Sequence, residues 1–204
     1  MNKNSVLVEY FMKYKMIYMK IIIVFFIGII IGVAVINTAK EEKILNLTEY
    51  VKELVQNVKY NDNIDYSNSF LVSIVKNIKT IGILWIFGYT IISSIFVYLN
   101  IGYQGFKLGY TISTFILILG IKKGIILSLS SLLLQNIIFI PTLFLLSESG
   151  IKLCNEIKKN RNNIKRELWR HFIIFMLCIC LIILSSFIEV YFSTKILIFF
   201  KEIL

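Results

Sequence analysis

Five stretches of this chain carry no charged residue, and their lengths constrain the fold more than any other feature. They run Ile21–Ala39, Thr80–Phe106, Leu108–Ile121, Gly124–Ser147 and His171–Ile188. A hydrocarbon layer about 30 Å thick is crossed by roughly 20 helical residues. Four of the stretches meet or approach that length. Leu108–Ile121 is short unless Lys107 and Lys122 reach the interfaces from its two ends. In lipid the backbone must satisfy its own hydrogen bonds, and these stretches are too long for tilted barrel strands. The expected fold class is an all-α integral membrane protein. About five transmembrane helices are expected, at 21–39, 80–100, 106–121, 124–146 and 171–192.

Composition agrees. Hydrophobic residues make up 57% of the 204 residues, against about 45–50% in soluble domains. A secretory leader is the rival reading of the first apolar stretch. That stretch is long for a leader, about 20 residues precede it, and no A-x-A-like site follows in Ile36-Asn37-Thr38-Ala39. It reads as a retained anchor. The formal charge of +10 would suggest nucleic acid on a soluble domain. Here lysines flanking spans and meeting anionic headgroups explain it, so no nucleic-acid partner is expected. The three cysteines, Cys154, Cys178 and Cys180, form no CxxC pair and read as small packing residues.

Lysine and arginine in short loops set the expected orientation. The tail 1–20 carries Lys3, Lys13, Lys15 and Lys20 against Glu9. The segment 147–170 has seven basic residues against three acids, while 40–79 balances six lysines with six acids. The tail and the basic segment 147–170 are therefore expected in the cytoplasm, with 40–79 and the C-terminal tail 193–204 outside. Lys122-Lys123 would then face outward. A re-entrant hairpin over 106–146 is the alternative, and it leaves every other segment on the same side.

In EEKILNLTEYVKELVQNVK the apolar residues Ile44, Leu47, Val51, Leu54, Val55 and Val58 recur at helical spacing. An amphipathic extracytoplasmic helix of about five turns is expected there. It could lie on the membrane or present a partner-binding face. YNDNIDYSNS reads as a turn. FLVSIVKNIK is expected along the interface ahead of the second span, and KILIFFKEIL on the outer surface.

Little in the chain suggests catalysis. There is no HExxH, P-loop, GxSxG or dinucleotide fingerprint. The single histidine, His171, stands at a span boundary beside Trp169 and Arg170 and reads as interfacial. Glu189 lies about one turn from a span end, within reach of the interface. No catalytic, cofactor-binding or metal-ligating residue is expected, and no cofactor.

Small residues carry more information. Gly28 and Gly32 are four apart in the first span, and Gly105 and Gly109 four apart in the third. That spacing lets helix backbones approach closely, although glycine is common enough in membrane helices for one such pair to arise by chance. The second pair opens the stretch GYQGFKLGYTISTFILILGIKKGIILSLSSLLLQNIIFIPTLFLL. This stretch resembles the signature of the stage II sporulation protein M family. Gly105-Phe106 and Gly109-Tyr110 match its GF-x-x-G-(F/Y) motif, and Gly120 with Gly124 its glycine turn. Gln135-Asn136 and Pro141 match its P-Q-N and later proline, with Leu134 standing where the family usually has the first proline.

The resemblance implies a non-enzymatic membrane scaffold for peptidoglycan remodelling during forespore engulfment. It implies stage II sporulation proteins D and P as partners, beside membrane lipid. A homo-oligomer also fits. A permease-like subunit is the alternative, because broken helices with mid-membrane polar residues are typical of transporters. Gln135, Asn136 and Pro141 then have two readings. They form an interhelical polar clamp beside a bend, or they line a path. Pro141 removes a backbone donor and frees the carbonyl of Ile137, which needs a partner in lipid.

Overall fold

The structure, a computed structural model, describes residues 3–60, 66–130, 134–159 and 164–193. Among these it is helical almost throughout. α1 is Lys3–Asn37, α2 Glu41–Tyr60, α3 Tyr66–Gly88, α4 Ser93–Ser128, α5 Leu134–Lys158 and α6 Ile164–Phe187. A π-helical turn, Ile188–Ser193, continues α6. Five helices are long and apolar enough to cross a membrane: Lys15–Asn37, Ser67–Gly88, Ser93–Ser128, Asn136–Lys158 and Ile164–Phe192. The protein is an all-α membrane protein with α2 as an additional amphipathic helix.

Contacts fix the directions. Gly105 faces the carbonyl of Phe25 and Gly109 that of Ile29, so α1 and α4 run parallel. Trp85 stacks on Phe175 with ring centroids 4.4 Å apart, and Asn77 donates to Ser186 at 3.3 Å, so α3 and α6 are antiparallel. Ser149 bonds His171 at 2.8 Å and Cys178 donates to the carbonyl of Thr142 at 3.6 Å, so α5 and α6 are antiparallel too. Phe87 stacks on Phe96 with centroids 3.7 Å apart while Lys76 and Lys107 line one cavity, so α3 and α4 are antiparallel and the spans alternate in direction in chain order.

The core draws on all five spans, including Ile21, Phe25, Ile81, Leu84, Val97, Ile101, Phe139, Leu143, Cys178 and Ile182. α5 is the central helix: 67% of its span is buried, against 22–33% for the others. The outward faces are apolar as well. Phe26, Ile30, Ile86, Leu99, Ile173 and Leu184 are all exposed, as lipid contact requires and as water would not favour.

The span boundaries differ from those expected. The charge-free run Thr80–Phe106 is two helices joined by a turn at 89–92, not one span at 80–100. FLVSIVKNIK is the first half of the spanning helix α3 and not an interfacial strip. The third span is longer than 106–121, because α4 starts at Ser93. Lys76, Lys79 and Lys107 thus fall inside spanning helices, where charge counting had placed boundaries.

Within 106–128 the chain turns back on itself. At Gly120 the backbone takes φ 79° and ψ 168°, a region open essentially to glycine, and the chain reverses. The returning arm packs closely. A Cβ at Gly124 would stand 2.6 Å from the Cα of Ile116. Beside this apex Val51 of α2 packs with Phe115, Leu127, Ile118 and Leu119. Lys43 of α2 lies 5.6 Å from the Tyr110 ring. The predicted amphipathic helix exists, and it covers the hairpin apex. The expected turn at 61–65 and the outer tail KILIFFKEIL lie outside the described residues.

Candidate functional site: a polar cleft in the apolar belt

Two features of the bundle could carry function: the seam between α1 and α4, and a cleft among α3, α4 and α5.

The seam is built from glycine. A Cβ at Gly28 would lie 2.2 Å from the carbonyl oxygen of Gly102, and one at Gly32 2.3 Å from that of Phe106. On the opposite helix, Gly105 would meet Phe25 O at 2.2 Å and Gly109 would meet Ile29 O at 2.3 Å. Backbone touches backbone along about two turns, and Cα–H···O contacts become available. The structure thus brings together Gly28, Gly32, Gly105 and Gly109. Phe106 and Tyr110 follow on the same stretch of α4, their rings 5.7 Å apart. Gly102 belongs to the seam as well, although it stands outside the four-residue spacing that draws attention to the others.

The seam also sets depth. Phe106 meets Gly32 and Gly109 meets Ile29. Lys107 is therefore level with residues 29–32, the middle of the uncharged run Ile21–Ala39. Counting 1.5 Å per residue, Lys107 lies about 21 Å along α4 from Ser93, and Lys76 about 18 Å along α3 from Gly88.

At that level a cavity of about 160 Å³ opens between α3 and α4 and is floored by α5. α3 contributes Lys76, Asn77 and Thr80; α4 contributes Gln104, Lys107, Leu108 and Thr111; α5 contributes Asn136, Phe139 and Ile140. The spacings i, i+3, i+4 and i+7 place the α4 and α5 sets each on one helix face, and on α3 Thr80 lies one turn from both Lys76 and Asn77. The volume is ample for several waters. The threonines turn their hydroxyls back on their own helices: Thr80 donates to the carbonyl of Lys76 at 3.2 Å, and Thr111 to that of Lys107 at 2.8 Å. Gln104 is buried and Lys107 half-buried, its ammonium 5.2 Å from the Tyr103 ring. Lys76 is exposed at the mouth.

Beside the cleft, buried Asn77 also donates to Ser73 at 3.4 Å, and Ser73 donates to Glu189. Glu189 therefore turns inward onto α3 instead of reaching out to the interface. Lys76 is within electrostatic range of both Glu189 and Lys107. Among the described residues, neither Lys76 nor Lys107 makes an ion pair. Ion pairs gather instead at the other end of α5 and α6, where Lys152 meets Glu148, and Arg170 meets Glu148 at 3.6 Å and Glu167 at 2.6 Å.

That charged end is structural. His171 is fully buried and not interfacial. It bonds Ser149 at 2.8 Å and the carbonyl of Trp85 at 3.3 Å, and its ring occupies the space a Cβ at Gly88 would need. The residue locks α3, α5 and α6 together. Among the described residues, no group of three His, Cys, Asp or Glu side chains is placed to hold a metal ion.

Of the remaining predicted residues, Asn136 lines the cleft together with residues of α3 and α4. The Gln135 side chain lies outside the described residues. Pro141 sits on the exposed face of α5. Its neighbour Thr142 donates to the carbonyl of Ile138 at 2.7 Å. Sequence reasoning missed Lys76, Asn77, Gln104 and Lys107. A signal existed: Ser73, Asn77 and Thr80 recur at i, i+4 and i+7, as Gln104, Lys107 and Thr111 do at i, i+3 and i+7.

A family model described as stage II sporulation protein M matches residues 21–194. The chain belongs to that family. The match takes in the glycine seam, the hairpin apex and the whole cleft. It makes this a sporulation-related, multi-pass membrane protein. No match was found among curated proteins or among solved structures.

Proposed function

We propose that the protein is a non-enzymatic membrane scaffold of a peptidoglycan-remodelling complex acting in forespore engulfment, with stage II sporulation proteins D and P as its partners. Family membership over residues 21–194 carries this reading. The bundle is consistent with it. Its closest contacts are backbone to backbone, which suits a rigid platform, and α2 stands at the hairpin apex with Leu45 and Tyr50 exposed. Tagged protein purified from sporulating cells in mild detergent is expected to bring a wall hydrolase with it. Recovery of the intact bundle without any hydrolase would count against the scaffold.

The proposal includes an orientation. The charged end with Arg170, Lys152 and the basic residues up to Lys165 faces the cytoplasm, and the hairpin apex with α2 faces outward, following the excess of Lys and Arg. A Tyr50→Cys variant lacking the native cysteines should then react with an impermeant thiol reagent on intact cells. Labelling only after permeabilisation would reverse the assignment. One observation favours a second reading. A polar cleft at mid-membrane is what a permease-like subunit would need, and solute flux in proteoliposomes would speak for it.

A further inference from the structure

The glycine seam leaves the cleft unexplained, because packing helices together requires no lysine. Lys76 and Lys107 face one cavity, close enough to repel each other. Both lie level with the middle of the apolar belt. Intramembrane ionisable groups usually have a partner or a task. Glu189 serves Lys76 in part, since it lies within its range while accepting from Ser73. Lys107 has an aromatic face near it and a second cation, with no carboxylate in an ion pair. Gln104 adds an amide, and the threonine hydrogens are already committed to helix carbonyls. The walls therefore favour a negatively charged group.

The way in identifies the carrier. Lys76 also borders a shallow groove on the outer face of α3, formed with Leu71, Val72, Val75 and Lys79. These apolar residues are exposed in a spanning helix, so the groove faces lipid. A dissolved anion would have to cross half the apolar layer to arrive there. A side chain borne on another spanning helix comes in sideways at the right depth, and its apolar neighbours cover the groove.

We propose that the cleft between α3 and α4 is a docking site for a partner transmembrane helix that carries a carboxylate at mid-membrane, received between Lys76 and Lys107. This rests on the scaffold reading and names the in-membrane contact through which a scaffold would hold a partner. Leu71, Val72 and Val75 supply the apolar contact, and the two ammonium groups supply the selectivity.

The test uses the full chain in phosphatidylcholine liposomes at pH 8, labelled at Cys180, the exposed member of the three cysteines. The probes are synthetic Leu/Ala helices with a central Glu, Gln or Leu and a donor fluorophore, and energy transfer reports binding. The Glu helix is expected to bind at least tenfold more tightly than the Leu helix, with Gln between them. The Lys76→Met/Lys107→Met double variant should bind all three alike, and Lys76→Arg/Lys107→Arg should restore the preference. Equal binding of Glu and Leu helices to the wild type would overturn the proposal. So would a Glu preference that survives the Met double variant. Displacement of the Glu helix by millimolar acetate or phosphate would assign the site to a free anion instead, and displacement by phosphatidylglycerol to a lipid phosphate. Co-purification of a wall hydrolase is a separate measurement. Failure of the helix assay leaves that reading standing, and the reverse also holds.

Discussion

Gly105→Leu should leave almost no folded protein in the membrane. Even the first added atom would stand 2.2 Å from the carbonyl oxygen of Phe25, which belongs to a helix backbone and cannot rotate away. The helices would have to part along the whole seam, taking the Gly28, Gly32 and Gly109 contacts with them. Overpacking typically costs about 1–3 kcal/mol and occasionally more. The upper end applies here, because lipid is as apolar as the side chains and close packing supplies much of the association. Two other glycines calibrate the result. Gly82 has nothing within 4 Å of a Cβ, and alanine there should be neutral or stabilise by up to about 1 kcal/mol through helix propensity. Gly120 also has open space but holds φ 79°, so alanine should cost about 1–3 kcal/mol from backbone strain alone. Thermal unfolding in detergent should rank Gly82→Ala above Gly120→Ala, and both above Gly105→Leu. A Gly105→Leu protein within about 1 kcal/mol of wild type would mean that α1 and α4 do not meet as described.

The seam was legible because its signal is local. Four glycines at four-residue spacing sit in two uncharged stretches, and helix geometry alone puts each pair on one face. The hairpin apex was legible for the same reason, with Gly120 and Gly124 breaking a continuous apolar run. The helix at 41–60 followed from periodicity. What failed was the use of charge to mark span ends. Lys76 and Lys79 looked like the outer rim of the second span, and Lys107 like the start of the third. The structure puts all three within helices that cross. The real turn, Tyr89-Thr90-Ile91-Ile92, carries neither charge nor proline and was hidden inside an apolar run. Tertiary packing explains the inversion. A span can hold a lysine when two other helices wall off a cleft for it, and a chain can turn without charge where His171 and Gly150 pack beneath the corner.

The same logic hid the cleft. No single helix shows it, since each contributes only two or three polar residues to a mostly apolar segment. The amides were noticed on α5 because Pro141 stands near them. Of their counterparts, Asn77 reads as part of an interfacial strip and Gln104 falls between the second and third expected spans. Once α3 and α4 are placed, Asn77, Gln104 and Asn136 converge at one level. A shared depth is a property of the bundle and cannot be read from any one segment.

Lys107→Met and Lys76→Met should each raise the melting temperature in detergent while impairing sporulation. A lysine at the centre of a spanning helix costs about 2.5–3.5 kcal/mol on insertion scales, less what the long side chain recovers by reaching toward polar neighbours. Methionine keeps the stem's length and apolar character without the charge. A gain of about 1–2 kcal/mol is expected per substitution, or roughly 2–4 °C per kcal/mol for a chain of this size. Lys107 should give the larger gain, because it is half-buried while Lys76 stands exposed at the mouth. The charged end provides the contrast. Glu148 is buried between Lys152 and Arg170, and its neutralisation takes a carboxylate from both cations while Arg170 keeps Glu167. Glu148→Gln should therefore destabilise by about 1–3 kcal/mol, the usual result of removing one partner of a buried polar contact. The opposite signs distinguish charges that hold the bundle together from charges kept for another purpose. If the lysine variants melted below wild type, Lys76 and Lys107 would be structural, with Glu189 and the cleft amides as their true partners. Spore formation measured on the same variants separates the two cases, since a stabilised protein that cannot support sporulation has lost a contact and not a fold.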